Sequence, residues 1–402
     1  MYDAIIVGAR CAGSPTAMLL ARKGYRTLLV DKARFPSDTM STLVIWPHGA
    51  EILDRWGLLD RLAATGCPPI ARNMIFDFGP FALKGGVPWR NKGRGGFCPR
   101  RTVLDKLLVD AAVASGAELR EDFTVDSLLW NGDRVVGIQG HTHGGGQVTE
   151  HASVVIGADG AHSFVAKAVN APEYDTKPPL ITYYYSFFSG FEADDVEQHV
   201  RDHDGAACFP THDGLTLVAH AWKCARFPEI RADVDSHCAK LHETMPSVKE
   251  RMQQAKREEK WVGTAGVRNY FRKPFGPGWA LVGDAGYDRD PITAQGITDA
   301  FTDAENLTEA LDEAFSRRRP FDEVLGAYQV KRDTRVKPMY EFTCALAALE
   351  PPAPEEQQLF AALHGNQEAT NQYFGAITGA DPIPEFFSPE NIGRIVGQKT
   401  SA

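Results

Sequence analysis

The sequence lacks features that would mark a membrane protein or a nucleic-acid-binding protein. No apolar run approaches the roughly 20 residues that a membrane helix requires, and no charged and apolar leader precedes the first predicted strand. The net charge of −9 opposes non-specific nucleic-acid binding, because phosphates require a basic surface. We therefore expect a cytoplasmic protein that binds no nucleic acid and has no integral membrane segment.

Cysteine is also scarce, and its spacing marks neither a redox pair nor a metal site. The seven cysteines include no C-x-x-C pair, and an odd number in a long chain argues against a disulfide framework. His141 and His143 have no carboxylate or thiol at ligand spacing, so we predict a solvated hairpin tip and no metal. Reduced thiols fit a cytoplasmic compartment.

The fractions of hydrophobic and charged residues are those of an ordinary globular protein. Hydrophobic residues make up 43% and charged residues 24% of the 402 residues, close to the averages of folded domains. This length suggests two domains, or one large domain with an insertion.

The most informative pattern lies at the N-terminus. Residues 3–7 form a short apolar run that predicts a buried strand, and residues 14–23 have helical spacing up to Gly24. A second predicted strand covers residues 26–30. A strand, a helix and a strand in this order predict a parallel sheet.

The turn between the first strand and the helix resembles a dinucleotide-binding fingerprint. It reads Gly8-Ala9-Arg10-Cys11-Ala12-Gly13, in which Gly8 permits a tight turn and Gly13 permits close helix packing. The free N–H groups of the helix would meet a pyrophosphate, and Asp31 would accept hydrogen bonds from a ribose. Arg10 replaces the usual middle glycine, so its side chain must point away or lie along the phosphates.

The remainder of the chain alternates helical and strand patterns. Alternating runs at residues 123–130 and 134–139 predict a hairpin, and the aromatic run 181–188 predicts a strand whose neighbours are residues 208–210 and 215–222. Residues 73–97 suggest short strands. Predicted helices cover residues 49–64, 103–115, 235–256, 296–315, 321–348 (which Pro338 must kink or interrupt) and 355–374.

Two later segments and one helix resemble a known superfamily. The segments Val155–Ser163 and Ala280–Ala285 each follow a predicted strand, and Arg101–Asp105 reads Arg-x-x-Leu-Asp. With the first turn, they resemble the signatures of the class A flavoprotein monooxygenase superfamily, which includes para-hydroxybenzoate hydroxylase-like enzymes, flavin halogenases and geranylgeranyl reductases. The resemblance covers roughly residues 1–170 and 265–345.

The resemblance implies an α/β fold: a Rossmann-like FAD-binding domain with a parallel sheet and helices, an inserted antiparallel-sheet substrate domain and a helical C-terminus. We place the discontinuous FAD-binding domain at residues 1–72, 98–177 and 266–345. The substrate-binding sheet domain would comprise residues 73–97 and 178–265. Residues 346–402 would form the helical tail.

The resemblance also implies which residues bind FAD. Those implied to hold the pyrophosphate and the adenosine are Gly8, Arg10, Ala12, Gly13, Asp31, Lys32 and, through its backbone, Val125. Arg101 would reach the phosphates or the flavin edge, and Asp159 with Gly160 would serve a groove between FAD and nicotinamide. Those implied on the flavin side are Gly283, Asp284, Pro291, Gln295 and Gly296. As an alternative, Asp159 and Asp284 are turn-forming residues beside glycines.

The reaction follows by elimination within the superfamily. Trp-x-Trp-x-Ile-Pro, a halogenase segment, is absent, and Trp222 lies too far from Phe227-Pro228 for a geranylgeranyl reductase segment. The best interpretation is a monooxygenase of secondary metabolism: NAD(P)H reduces FAD, O₂ gives a C4a-hydroperoxide, and one oxygen atom passes to an aromatic or polycyclic small molecule. A reductase or dehydrogenase of an isoprenoid-like substrate, a flavin halogenase in spite of the absent segment, and a flavoprotein without turnover stay open.

Neither the electron supply nor the substrate site has a motif of its own. No second nucleotide fingerprint is present, which fits transient NAD(P)H binding or a separate flavin reductase. Tyr183, Tyr185 and Phe187 share one strand face, where they would meet a flat apolar substrate or pack the sheet on helices. His48 precedes a predicted helix and is a candidate active-site group or a surface residue.

Overall fold

A computed structural model describes residues 1–87, 95–193 and 195–398. Residues 88–94, within the predicted segment 73–97, and residues 399–402, at the end of the predicted tail, lie outside the described residues. The strands in chain order are β1 Tyr2–Val7, β2 Thr27–Val30, β3 Pro69–Ile70, β4 Met74–Asp77, β5 Ala82–Gly85, β6 Gly96–Phe97, β7 Glu118–Arg120, β8 Phe123–Asn131, β9 Arg134–Thr142, β10 Gln147–Gly157, β11 Glu173–Lys177, β12 Ile181–Ser189, β13 Glu197–Arg201, β14 Asp204–Pro210, β15 Thr216–Lys223, β16 Lys256–Arg257, β17 Val262–Thr264, β18 Asn269–Arg272, β19 Phe275–Gly276, β20 Trp279–Leu281 and β21 Tyr287–Asp288.

The helices surround these strands and also form the end of the chain. In chain order they are α1 Gly13–Arg22, α2 Pro47–Arg55, α3 Leu59–Ala63, α4 Arg101–Ala114, α5 Phe164–Ala168, α6 Phe227–Ala232, α7 Val234–Glu243, α8 Pro246–Met252, α9 Gly296–Phe315, α10 Phe321–Ala347, α11 Pro354–Leu363, α12 Gln367–Ile377, α13 Ile383–Phe386 and α14 Pro389–Gln398. None of the described helices is long and apolar enough to cross a membrane.

The first sheet has a parallel centre with the strand order β20-β10-β1-β2-β7. Successive side chains of β1 point to opposite faces, so Ala4 and Ile6 pack beneath α1, α4 and α9, whereas Ile5 and Val7 pack beneath β8 and β9. Both faces are therefore covered, which explains why this strand is apolar from Ala4 to Val7. The predicted parallel sheet is confirmed.

The second large sheet is mainly antiparallel, with the strand order β16-β12-β15-β14-β13-β4-β5. Its aromatic strand β12 pairs along its length with β15. The short strands β4 and β5 join the same sheet through a parallel pairing of β4 with β13. An α/β fold with a parallel sheet, an inserted antiparallel sheet and a helical C-terminus is thus confirmed, whereas the exact domain bounds stay a prediction.

The two faces of this second sheet meet different partners. Tyr183, Tyr185 and Phe187 belong to a cluster that includes residues from α11 to α14, while Tyr184 and Phe188 pack with α6, α7 and α8. The C-terminal helices therefore lie on the same side of this sheet as these aromatic residues, with α12 in contact with β5.

Several predicted helix bounds are wrong, and glycine or proline explains most of the differences. The helix predicted over residues 49–64 ends before Gly57, which has a φ of +74°, and the one over residues 355–374 is divided at Gly365, with a φ of +93°. Pro246 starts α8 and divides the predicted helix 235–256. Pro338 instead lies inside an uninterrupted α10, where the neighbouring Val336 and Tyr340 are buried.

Candidate cofactor site

The first turn is built around two glycines that leave no room for side chains. Gly8 has a φ of +103°, and a Cβ on it would lie 2.4 Å from the Ala158 carbonyl oxygen. A Cβ on Gly13 would lie 1.7 Å from the Gly8 carbonyl oxygen and 3.0 Å from the Ala158 Cβ. Close approach of backbone to backbone therefore requires glycine at both positions.

Three turns meet at the carboxyl ends of the parallel strands. The register aligns Val7 of β1 with Gly157 of β10, and Gly157 with Leu281 of β20. Gly283, with a φ of +61°, lies so close to the first turn that a Cβ on it would be 2.9 Å from the Ala12 Cβ. Ligands of open α/β sheets bind at such strand ends, so the structure brings the three sequence motifs into one cleft.

The N-termini of α1 and α9 have no side-chain cap. The residues preceding these helices, Ala12 and Gln295, make no side-chain capping bond. The backbone N–H groups of residues 10–13 and 296–298 make no hydrogen bond to any described residue. By contrast, Ser163 caps α5. Free N–H groups and the helix dipole form an anion site, so the turn fits a pyrophosphate.

Asp284 lies beside the α9 terminus, within the cleft. A Cβ on Gly296 would be 4.0 Å from its Oδ1 atom. The residue is exposed to solvent in the cleft. Partial loss of hydration nonetheless raises its pKa to about 6, against the opposing effect of Arg101. The carboxylate is thus placed to accept hydrogen bonds from hydroxyl groups of a ligand, and this role stays a prediction.

At the far end of the first turn, Asp31 is buried and already hydrogen-bonded to backbone. Its Oδ2 accepts from Ala9 N at 2.7 Å and its Oδ1 from Ala33 N at 2.8 Å. The Asp31 carbonyl accepts from Phe123 N at 2.9 Å, which places Val125 nearby on β8, and Lys32 is exposed. The residues predicted to bind the adenosine therefore lie close together, and their contacts with a nucleotide stay predictions.

Arg10 points away from the helix terminus toward a buried carboxylate. Its Nη1 donates to Asp105 Oδ2 at 2.5 Å, and its Nη2 donates to Ser37 Oγ at 2.9 Å. Arg101 also donates to Asp105, from Nε at 3.1 Å and from Nη2 at 3.0 Å. Asp105 is fully buried and therefore holds both guanidinium groups next to the turn. Of the two orientations considered for Arg10, the structure shows the one that leaves room for a phosphate.

Asp159 serves as a helix cap. Its Oδ1 accepts from Ser163 Oγ at 2.5 Å, and its Oδ2 accepts from Phe164 N at 2.6 Å. Gly160 follows it with a φ of +78°. These contacts are those of the turn-forming alternative, so a groove for nicotinamide at this position stays a prediction.

The loop before α9 is held from two sides. The 3₁₀ turn Pro291–Thr293 leads to Ala294, which has a φ of +52°. Trp46 Nε1 donates to the Thr293 carbonyl at 3.0 Å, and Gln295 Nε2 donates to the Ile377 carbonyl at 3.2 Å. The predicted flavin-lining loop is thus fixed by the segment before α2 and by the C-terminal helices.

The aromatic strand begins beside this loop, where Ile181 N donates to Asp290 Oδ2 at 3.3 Å. Tyr185 Oη accepts from Ser41 N at 3.3 Å, and the Arg100 guanidinium lies 3.9 Å from the centre of the Phe187 ring. Tyr183 belongs to the same cluster as Ala294. Contact of these side chains with a substrate stays a prediction.

His48 lies in the first turn of α2, away from that strand. Its Nδ1 is 3.7 Å from Glu51 Oε2. Partial burial lowers its pKa although Glu51 acts in the opposite direction. A neutral, half-exposed imidazole fits both of the roles considered, so a catalytic role stays a prediction.

Sequence reasoning missed part of this environment. Leu43, Val44 and Trp46 are buried in the cluster that contains the aromatic strand, and no periodicity marked them because they lie in an irregular segment. The contribution of α12 was also missed. Its apolar face predicts burial, but a single sequence does not reveal which surface covers it.

A comparison with protein families supplies the identity of the cleft. The family model described as FAD binding domain matches residues 1–343. The chain belongs to this family. It is an FAD-dependent oxidoreductase of the class A flavoprotein monooxygenase superfamily, as the motifs predicted. The glycine cradle and the uncapped helix termini of this FAD-binding protein are the features that an FAD pyrophosphate requires.

Relatives of this FAD-binding protein have more than one activity. The 6-methylpretetramide 4-monooxygenase of Streptomyces rimosus is 25% identical over 350 residues, covering 82% of this chain and 80% of the relative. The digeranylgeranylglycerophospholipid reductase of Methanosarcina mazei is 26% identical over 324 residues, covering 78% and 76%. The flavin-dependent brominase Bmp2 has a similar structure, with a TM-score of 0.83 and 17% identity, over 100% of this chain and 99% of the brominase. At that identity it shows a shared fold alone.

Proposed function

We propose that this protein is a monooxygenase that transfers one oxygen atom of O₂ to an aromatic or polycyclic small molecule, with NAD(P)H as the electron donor. One observation carries the proposal: the aromatic face of β12 belongs to the same hydrophobic cluster as Ala294, which lies in the loop that leads into the uncapped N-terminus of α9. Bound FAD supplies the redox chemistry and the activation of O₂, and the chain supplies position, charge and exclusion of water.

The cofactor would extend along the cleft from Asp31 to α9. In this arrangement the turn from Gly8 to Gly13 would bind the pyrophosphate through backbone N–H groups, and Asp284 would bind a hydroxyl group of the flavin-side chain. The free N–H groups of α9 would stabilise negative charge on the flavin, because a helix dipole favours an anion at its N-terminus.

The substrate side is apolar and aromatic. Tyr183, Tyr185 and Phe187 are each less than 7% exposed, and they share a hydrophobic cluster with Trp46 and the C-terminal helices. Such walls bury flat apolar rings and exclude water from the reacting atoms. A relative named for its action on 6-methylpretetramide supports a polycyclic substrate class.

The test is oxygen incorporation under ¹⁸O₂. The purified holoenzyme is incubated with NADH or NADPH and a panel of polycyclic aromatic compounds, and products are analysed by mass spectrometry. We expect substrate-stimulated NAD(P)H oxidation and one ¹⁸O atom in the product. Product that forms without label refutes the monooxygenase assignment. A parallel reaction with an added flavin reductase tests whether electrons reach FAD from a separate protein.

The second candidate is reduction of an isoprenoid-like substrate. It is favoured by the archaeal reductases that align with about three quarters of the chain. This reaction consumes no O₂, so turnover of a geranylgeranyl compound with dithionite-reduced enzyme under strict anaerobiosis would select it over oxygen insertion. The spacing of Trp222 and Phe227-Pro228 argues against it.

A further inference from the structure

A second cluster of chemically reactive side chains lies on the opposite face of the antiparallel sheet. Glu197 and His199 are two residues apart on β13, so they share a face, and Cys208 on β14 is directly opposite Glu197. The three side chains are between 0% and 7% exposed. One ligand atom from each lies within 4.8 Å of the other two. The flavin cleft uses none of them.

Both ring nitrogens of His199 face carboxylates. Nδ1 lies 3.0 Å from Asp77 Oδ2, and Nε2 lies 3.2 Å from Glu197 Oε2. Ionised carboxylates only accept hydrogen bonds, so each nitrogen has to carry a positive or hydrogen-donating group. Nδ1–H donating to Asp77 is the arrangement that orients histidine ligands in metal sites. It leaves Nε2 for a second proton or for a metal ion.

We propose that Glu197, His199 and Cys208 bind one divalent transition-metal ion, with Zn²⁺ as the preferred occupant, and that Asp77 positions the histidine ligand. Thiolate, imidazole and carboxylate are the three ligand types that Zn²⁺ takes in proteins. Binding releases the Cys208 thiol proton, and any proton on His199 Nε2, to solvent. The bound ion then has a thiolate and a carboxylate that balance its charge.

The spacing of the ligand atoms suits such an ion. With bonds of about 2.1 Å to nitrogen and oxygen at a tetrahedral angle, two ligands of one Zn²⁺ lie about 3.4 Å apart. The measured separation of His199 Nε2 and Glu197 Oε2 is 3.2 Å. Cys208 needs only a small side-chain movement to complete the set, because its strand is paired in register with β13.

Arg251 is compatible with this arrangement. Its Nη1 and Nη2 donate to Glu197 Oε1 and Oε2, both at 2.6 Å, and each carboxylate oxygen keeps a second lone pair for the metal. The Arg251 guanidinium also balances the negative charge of the Glu197 carboxylate, since its Nη1 lies 2.6 Å from Glu197 Oε1.

The position of the ion suggests a structural role. His199 and Asp77 are aligned partners in the β13–β4 pairing, and Arg251 belongs to α8. A metal at Glu197, His199 and Cys208 would link β13 and β14 directly. Through Asp77 and Arg251 it would also stabilise the positions of β4 and α8. Three protein ligands leave one position for water.

The experiment measures zinc directly on the full chain. Protein stripped with EDTA is reloaded with ZnCl₂, desalted and analysed by mass spectrometry for metal per chain. We expect about one Zn²⁺ per chain. Reloading with Co²⁺ should add a thiolate-to-cobalt charge-transfer band to the difference spectrum. His199→Gln and Cys208→Ser should lower zinc affinity at least tenfold, and Asp77→Asn about 10–100-fold.

The matched control is Cys238→Ser, because Cys238 is a buried thiol of α7 outside the ligand group. It should load zinc as the wild type does. Wild-type protein that retains no zinc refutes the proposal whether or not the variants fold. Equal loading of wild type, His199→Gln and Cys208→Ser also refutes it, since the zinc is then adventitious. Flavin content reports folding independently.

Discussion

Replacement of Asp105 by asparagine should destabilise both the protein and its hold on FAD. The side chain is fully buried and accepts hydrogen bonds from Arg10 Nη1 at 2.5 Å and from Arg101 Nη2 at 3.0 Å. Asparagine has nearly the same shape but no negative charge. Two guanidinium groups at the first turn therefore lose their counter-charge.

The expected magnitude follows from the burial. Removing one partner of a buried ion pair costs about 3–5 kcal/mol, and Asp105→Asn should lie near the lower limit because an amide oxygen still accepts a hydrogen bond. If the whole effect appears in cofactor binding, about 3 kcal/mol corresponds to roughly a 100-fold loss of FAD affinity. Any part of it that does not appear in FAD binding should appear as a lower free energy of unfolding in urea.

Asp110→Asn on the same helix is the control. Asp110 pairs with Lys106 at 2.6 Å, but both side chains are more than 40% exposed, and such surface pairs contribute about 0.3–0.5 kcal/mol. Urea denaturation and FAD titration of the apoproteins compare the two variants. If Asp105→Asn unfolds at the same urea concentration as Asp110→Asn and binds FAD equally well, Asp105 does not hold the two arginines as argued.

Three further changes test the cleft and the sheet. Gly13→Ala should abolish flavin retention, because its Cβ would lie 1.7 Å from a carbonyl oxygen, whereas Gly146→Ala meets no atom within 4 Å and should retain flavin; visible absorbance after desalting decides. Asp284→Asn should bind FAD more weakly. Above about pH 6 its apoprotein should be more stable than the wild type, because only the wild type then has an ionised carboxylate in the cleft, and below about pH 4 the two should be equally stable. Denaturation of both proteins at the two pH values measures this difference. Burial lowers the pKa of His220 to about 3 and of His242 to about 4, so the unfolded chain takes up protons below about pH 6.5 that the folded chain does not. The free energy of unfolding should therefore decrease as the pH is lowered through this range. His220→Gln should reduce the slope of that decrease by the equivalent of up to one bound proton, and an unchanged slope would contradict the reasoning.

Local patterns predicted the elements whose signals lie close together in sequence. The bounds of α9 agree with the predicted 296–315, because its apolar spacing is regular and a glycine is its first residue. The first strand, turn and helix were also predictable, since Gly8 and Gly13 have conformational and packing requirements that few other residues meet. The second sheet was foreseen from the aromatic alternation of β12 and β15.

Contacts between distant segments were not predictable from one sequence. Arg10 and Asp105 are separated by most of the first βαβ unit and by α2 and α3, and nothing in either segment reveals the pairing. The Gln295–Ile377 contact depends equally on how α12 packs. Hydrophobic periodicity shows that a helix buries a face, but the partner follows from tertiary packing.

The strand order of the parallel sheet has a consequence for biosynthesis. The first turn is made early in translation, but its neighbour Gly283 and the α9 terminus are encoded almost three hundred residues later. At about 5–20 residues per second, the ribosome needs on the order of 15–60 s to deliver them. The cleft is therefore complete only after the start of α9 has been made, and until β10 has been made the apolar strand β1 lacks one of its two neighbouring strands.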